Sequence, residues 1–155
     1  MTNHSKTYRS PLFYVGDKYK LYPKISKYFP KTINRFIEPF TGGGSVFLNV
    51  NANEYLLNDI DTNVINIHQF LMEQSENPKA FFDNVFDIIQ EYNLSHSYIK
   101  DIVPQELRDK WIKTYYAKFN KQGFNKLKTD YNSSNEKSVL HLYLLLIYGF
   151  NRMLR

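Results

Sequence analysis

The sequence predicts an α/β unit up to Ile60 and a helical remainder, and three observations carry that prediction. Two short apolar runs, "NRFIEPF" (Asn34 to Phe40) and "NEYLLNDI" (Asn53 to Ile60), read as buried strands. Between them lies the glycine turn of "EPFTGGGSVF". From Asp61 onward the period becomes helical, with Ile60, Val64, Ile67 and Leu71 on one face. Strand, glycine turn, short helix and strand make a compact βαβ unit, which demands parallel pairing through a right-handed crossover.

The elements follow in order. "PLFYVGDKYKLYPKISKYFP" gives a loop around Gly16, then a short helix with Leu21, Ile25 and Phe29 at helical spacing. Pro30 ends it. The first strand ends at Pro39 and the glycines, and a short helix over Ser45 to Val50 opens from the glycine loop. After the second strand, Asp61 or Thr62 is positioned to cap the next helix. Pro78 opens another, with Phe81, Phe82, Val85, Phe86 and Ile89 expected inward. "LSHSYIKDIVPQ" is a break. Two helical stretches are expected over Glu106 to Asn120 and Phe124 to Tyr131, with Trp111 packed in the core. The polar "NSSNEK" loop leads into "SVLHLYLLLIYGFNRMLR".

With 155 residues and 43% hydrophobic content, the chain suits one domain with one real core. It has no cysteine, which excludes disulfides and thiolate metal sites and fits a cytoplasmic location. The N-terminus lacks an apolar signal core, and "LYLLLIYGF" is too short to span a bilayer, so no membrane association is expected. A net charge of +5 and a pI near 9.2 tilt the partners toward polyanions, although many soluble proteins carry such a charge for solubility. The 17% aromatic content suits base stacking, or equally an AT-biased genome. A two-strand parallel unit cannot bury both faces alone, so a fragment or one half of a split protein is expected.

The glycine loop is not a dinucleotide fingerprint. Gly42, Gly43 and Gly44 are followed by Ser45, Val46 and Phe47, and the third glycine of G-x-G-x-x-G is missing. No Lys-Ser or Lys-Thr pair follows at P-loop spacing. What remains is a ligand without a pyrophosphate, gripped by loop backbone and a helix N-terminus. Asp59 would then take ribose hydroxyls, or else serve as a helix cap.

"EPFTGGGSVFLN" followed by "LLNDIDTNVINIHQFL" resembles the S-adenosylmethionine-binding core of Dam-type (D12 class) adenine-N6 DNA methyltransferases. "FYVGDKYKLYPKISKYFP" is similar to that family's N-terminal motif, "FNKLKTDYN" to its target-recognition helix, and "HLYLLLIYGFNRMLR" to its DNA-touching segment. The order of these segments is the family's own. The resemblance implies a partial Rossmann-like methyltransferase fold in residues 1–73 and an incomplete helical target-recognition part in residues 74–155. It implies S-adenosylmethionine as cofactor, double-stranded DNA as partner, and methylation of adenine N6 in a short, GATC-like site.

Residue by residue, the resemblance implies that Tyr14 and Lys18 approach the methionine end of the cofactor, Lys18 pairing with its carboxylate. Glu38, Pro39 and Phe40 with Gly42 and Gly44 would form the cofactor loop. Asp59 would hold the ribose, and Ile60 would pack on adenine. Phe150, Asn151 and Arg155 match the DNA-facing pattern, although Phe150 equally suits ordinary core packing. Arg152 joins them as a cation where many relatives have glycine, and Leu146 and Ile147 stand where many have Asn-Arg. Lys113, Lys118, Lys121, Lys126 and Lys128, with Arg152 and Arg155, would neutralise phosphates.

The family's catalytic Asp-Pro-Pro-Tyr element, which would bind and stack a flipped adenine, occurs nowhere in these 155 residues. The chain alone is therefore expected to be inactive, with a C-terminal methyltransferase half as a possible partner. Two other classes stay open: a non-catalytic DNA-binding module, and a dinucleotide-binding fragment that the missing glycine disfavours. Gly44→Val is expected to block the ligand with little effect on the neighbouring strand, and Asp59→Ala to weaken ligand binding more than folding.

Overall fold

In the computed structural model, which describes residues 7–12, 14–96 and 102–149, the two apolar runs form a parallel pair. β1 (Arg35–Glu38) and β2 (Glu54–Leu57) align Phe36 with Tyr55 and Ile37 with Leu56. Arg35 and Glu54, also opposite in register, form an exposed ion pair at 2.7 Å. Such a pair contributes about 0–1 kcal/mol. The expected buried strands are not buried. Ile37 is 55% exposed and Leu56 57%, because a sheet of two strands leaves its faces uncovered.

Among the described residues the chain divides into two compact units, one up to Gln69 and one from Phe70 to Gly149. In the first, α1 (Tyr22–Ile25) continues as a 3-10 turn over Ser26–Tyr28 and stops before Pro30, as the sequence expects. The segment Ser45 to Val50, expected as a helix, is a 3-10 turn over Phe47–Asn49. Leu12, Val46, Val50, Val64 and Ile67 are buried here together with Ser10, Thr41 and Ser45. The last two are hydroxyl residues of the glycine loop itself.

α2 (Thr62–Gln74) begins after Asp61, whose carboxylate accepts from the Asn63 N–H at 3.0 Å. Of its expected face, Val64 and Ile67 are fully buried, whereas Ile60 is 95% exposed. Ile60 precedes the helix and is outside its stripe.

In the second unit, α3 (Pro78–Glu91) is capped by Asn77, whose side chain accepts from Ala80 N–H at 3.2 Å. It ends in a Schellman motif: Asn93 takes φ +50°, Leu94 N–H reaches Ile89 O, and Asn93 N–H reaches Gln90 O. Phe82 and Phe86, expected inward, are 50% and 37% exposed, and Ile88 is buried instead. α3 turns Val85, Ile88 and Ile89 toward Leu94, Leu127 and Leu144, which narrows the buried stripe to that side.

α4 (Gln105–Lys110) is shorter than expected, and α5 (Tyr115–Ser133) runs unbroken through Gly123. A non-helical turn links the two and leaves Trp111, expected in the core, 37% exposed. The expected break at that glycine is absent because Gly123 serves packing instead. A Cβ there would stand 1.9 Å from the Tyr92 carbonyl oxygen, so only glycine admits this approach. α6 (Val139–Tyr148) is capped by Ser138, and buries Leu142, Tyr143, Leu144 and Leu146. No helix of the described residues is long and apolar enough to cross a membrane.

A candidate cofactor site at the glycine loop

The loop after β1 is held almost entirely by hydrogen bonds from its own surroundings. Thr41 N–H donates to Asn58 O at 2.9 Å, Gly44 N–H to Thr41 O at 2.8 Å, and Thr41 Oγ1 to Glu38 O at 3.1 Å. Gly42 is held at both ends. Its N–H donates to Asp59 Oδ2 at 2.8 Å, and its carbonyl accepts from His68 Nε2 at 2.9 Å. Nε2 therefore carries the hydrogen. Gly42 and Gly44 both sit at positive φ, +48° and +80°, where a side chain is strained.

Asp59 has a second task. Its Oδ1 accepts from Asp61 N–H at 3.0 Å, turning the chain from β2 into α2. This replaces the expected cap role, since Asp61 and not Asp59 precedes the helix. It also revises the expected Asp59→Ala outcome: a carboxylate tied to two backbone N–H groups shapes the loop as well as any ligand.

Glu38, at the end of β1, accepts from the Phe47 N–H at 3.1 Å. Burial raises its pKa above the usual carboxylate value, opposed by that hydrogen bond and by the charge of Lys18. Lys18 donates to Gly16 O at 2.6 Å, so its ammonium is directed to the same corner. Burial lowers the pKa of His68, while the bond to Gly42 and the charge of Asp59 pull the other way. Its ring stands edge-on to Phe47 with centroids 5.3 Å apart. Tyr14 lies against Gly42 and Gly43. Its pKa is raised by burial first, then by Asp61 and Asp59.

Lys18, Glu38, Phe40, Thr41 and the three glycines line a cavity of about 130 Å³. Ligand sites enclose about 300–1,000 Å³, so this one can hold only part of a nucleoside-sized molecule. The amides of Gly43, Ser45 and Val46, all buried, make no hydrogen bond among the described residues. Larger hollows exist elsewhere, about 440 Å³ along Phe29 to Ile37 and about 410 Å³ near Phe86 and Leu94. Neither gathers the convergent charged groups found at the loop. Free amide donors, a cation and two carboxylates fit a ligand that carries both a carboxylate and ribose hydroxyls.

The structure thus brings together Tyr14, Lys18, Glu38, Phe40, Gly42 and Asp59. Pro39 contributes its carbonyl, which accepts from Asn58 Nδ2 at 3.1 Å. Ile60 follows Asp59 with its side chain exposed, as is that of Phe40 at 84%. Gly44 lines the same cavity, and what changes is the expected outcome of its valine variant. A Cβ there would lie 2.3 Å from Phe47 Cε1 and 2.8 Å from His68 Cε1, so Gly44→Val would disturb the fold before any ligand. Sequence reasoning missed His68, Ser45 and Asp17, of which the last two hydrogen-bond each other. His68 left a signal: it stands four residues after buried Val64, a polar group on an apolar stripe. Phe150, Asn151, Arg152 and Arg155 lie outside the described residues.

Comparisons with known proteins place the whole sequence beside one family. The profile of D12 class N6 adenine-specific DNA methyltransferases matches residues 14–155. The chain is 29% identical over 155 residues to Modification methylase StsI of Streptococcus sanguinis, covering 100% of the chain and 20% of that protein. It is 33% identical over 147 residues to Type II methyltransferase M.FokI of Planomicrobium okeanokoites, covering 95% of the chain and 19% of the relative. It is 33% identical over 153 residues to the DNA adenine methylase of Haemophilus influenzae, covering 96% and 43%. The chain thus spans about a fifth of the first two relatives and under half of the third.

Proposed function

The chain belongs to the D12 class N6 adenine-specific DNA methyltransferase family, and from that premise we propose that it carries the S-adenosylmethionine-binding part of such an enzyme. On this reading residues 1–73 are the cofactor part of a Rossmann-like domain. Residues 74–155 are the helical part that meets double-stranded DNA. The observation that supports it is the clamp on Gly42, which orders the loop beside Lys18, Glu38 and Asp59.

Each group has a task in this reading. Lys18 pairs with the ligand carboxylate, and the amides of Gly43, Ser45 and Val46 supply further donors. Asp59 retains acceptor capacity beyond its two backbone bonds and takes ribose hydroxyls. Ile60 and Phe40 offer exposed apolar faces for the base. When bound, the cofactor supplies an electrophilic methyl group, and the acceptor is adenine N6 in a short, GATC-like site.

This chain holds the donor side only. A flipped adenine needs a stacking surface and a polar partner for its amino nitrogen. The family meets that need with Asp-Pro-Pro-Tyr, which this sequence lacks. The uncovered sheet residues Ile37, Tyr55 and Leu56 are of the kind that helices packed on the faces of a larger parallel sheet cover.

The test is transfer of a tritiated methyl group to a GATC-containing duplex. The chain alone should transfer none, and adding a polypeptide that carries the Asp-Pro-Pro-Tyr element should produce N6-methyladenine. Transfer by the chain alone would contradict the reading.

A further inference from the structure

Two distant parts of the first unit meet at Asn49, the last residue of the 3-10 turn over Phe47–Asn49. Tyr8 N–H donates to Asn49 Oδ1 at 2.6 Å, and Asn49 Nδ2 donates to Tyr8 O at 2.7 Å and to Ser45 O at 2.9 Å. The Asn49 carbonyl accepts from the Tyr22 hydroxyl. One residue therefore holds both ends of the segment from Tyr8 to Tyr22. An amide suits the task, since it joins an acceptor and two donors in one plane, and here each of them meets backbone. Bonding both the N–H and the C=O of Tyr8 repeats what a neighbouring strand residue does. A local turn cap would need only the bond to Ser45, four residues earlier, whereas the bonds to Tyr8 cross 41 positions.

The segment held in this way lies on the glycine loop. Ser10 and Leu12 are buried, and a Cβ on Gly43 would meet Tyr14 Cβ at 3.0 Å and Ser10 Oγ at 3.6 Å. Asp17 Oδ1 accepts from Tyr19 N–H at 2.9 Å and from the Ser45 hydroxyl. Ser45 is thus tied to Asp17 through its hydroxyl and to Asn49 through its carbonyl. Lys18 follows Asp17 directly, and its ammonium bonds Gly16 O. A lysine carried on a segment fastened at both ends and in the middle has less freedom to lose when it meets a ligand.

We propose that Asn49 is a positioning residue for the cofactor: it buckles the segment from Tyr8 to Tyr22 onto the glycine loop and so holds Lys18 where the ligand carboxylate is received. This rests on the cofactor reading above and deepens it. Asn49 itself touches no ligand in this account. It acts through Lys18, across the bonds to Tyr8, Tyr22 and Ser45.

Asn49→Asp keeps the shape but removes both donors and sets a carboxylate against the carbonyls of Tyr8 and Ser45. At neutral pH its affinity for S-adenosylhomocysteine should fall about tenfold relative to the wild-type chain. Those carbonyls favour the protonated acid, which regains one donor, so the loss should shrink as pH falls toward about 5. Asn49→Ala, with no donor at any pH, should show no such recovery. In a Lys18→Ala background Asn49→Asp should cost less than about twofold, because the group it places is already gone. Without ligand, trypsin should cut the variant faster at Arg9, Lys18 and Lys20, with cutting in α5 unchanged. Equal binding by Asn49→Asp and wild type, a tenfold loss that persists in Lys18→Ala, or unchanged cutting overturns this inference and leaves the cofactor reading standing. Loss of exchange protection in β1 and β2 would make Asn49 a fold residue and overturn it too. A wild-type chain that binds no S-adenosylhomocysteine strikes the cofactor reading itself, and this inference with it.

Discussion

The two units are held together by different means. In the unit up to Gln69, Asp59, His68, Glu38 and Asn49 all bond loop backbone, and hydroxyl residues of the loop are buried. In the unit from Phe70, a contiguous apolar cluster of Val85, Ile88, Ile89, Leu94, Leu127 and Leu144 does that work. Polar side chains there bond across the cluster's edge: Tyr148 donates to Ser95 O at 2.6 Å, and Asn120 accepts from Ser95 N–H at 2.7 Å. A glycine loop that presents backbone groups in fixed directions is held better by directional bonds than by apolar packing. A helical scaffold needs only density.

Glycine substitutions should break the contrast most strongly. Gly123→Ala puts a methyl group 1.9 Å from a backbone oxygen that cannot swing away. It should destabilise the second unit by about 3 kcal/mol or more, since overpacking against backbone leaves no side chain to yield. Denaturant unfolding followed by Trp111 emission would show it.

Gly44→Val should cost less, about 2–3 kcal/mol, from positive φ and from a clash with two rings that have some freedom to move. The loss belongs to the first unit. Hydrogen exchange should rise around Thr41 to Val50 while α5 and α6 stay protected.

The pH response sharpens the comparison at a smaller scale. The pKa of His68 is lowered from 6.5 on folding, so the unfolded chain binds more protons in the window just below that value. Stability of the first unit should fall as pH drops through it. Glu38, whose pKa is raised from 4.5, has the opposite sign at lower pH. His68→Phe, which keeps a ring against Phe47 but loses the donor, should flatten the response near pH 6. Tyr148 acts at the other extreme. Burial pushes it up to about 12 from 10.0, so its contribution is full below pH 10 and is lost as pH rises toward 12. Urea midpoints across pH, read separately by exchange in each unit, would contradict this if both units responded alike.

The parts that were legible in the sequence are those with a local cause. The glycine turn, the parallel pair, the Pro30 stop and the Pro78 start each follow from backbone constraints within a few residues. The parts that were not legible depend on distant partners. Gly123 looks like a helix breaker until the Tyr92 carbonyl is placed against it. Phe82 and Phe86 look like core until the narrow face of α3 is seen. His68 becomes part of the site only when α2 turns it toward Gly42, 26 residues earlier. Asp59 was legible as a neighbour of the glycine loop, but its bonds to Gly42 and Asp61 were not, because hydrogen-bond direction is not written in spacing.

The central claim, that the clamped glycine loop receives a nucleoside with an amino-acid tail, is tested most directly by isothermal titration with S-adenosylhomocysteine. Weak, saturable, one-site binding is expected from the intact chain. Lys18→Ala, whose ammonium bonds Gly16 O and no other group among the described residues, should weaken it about tenfold with an unchanged melt, as loss of one charge-assisted contact implies. No binding by a folded chain, or equal affinity for Lys18→Ala, would contradict the claim.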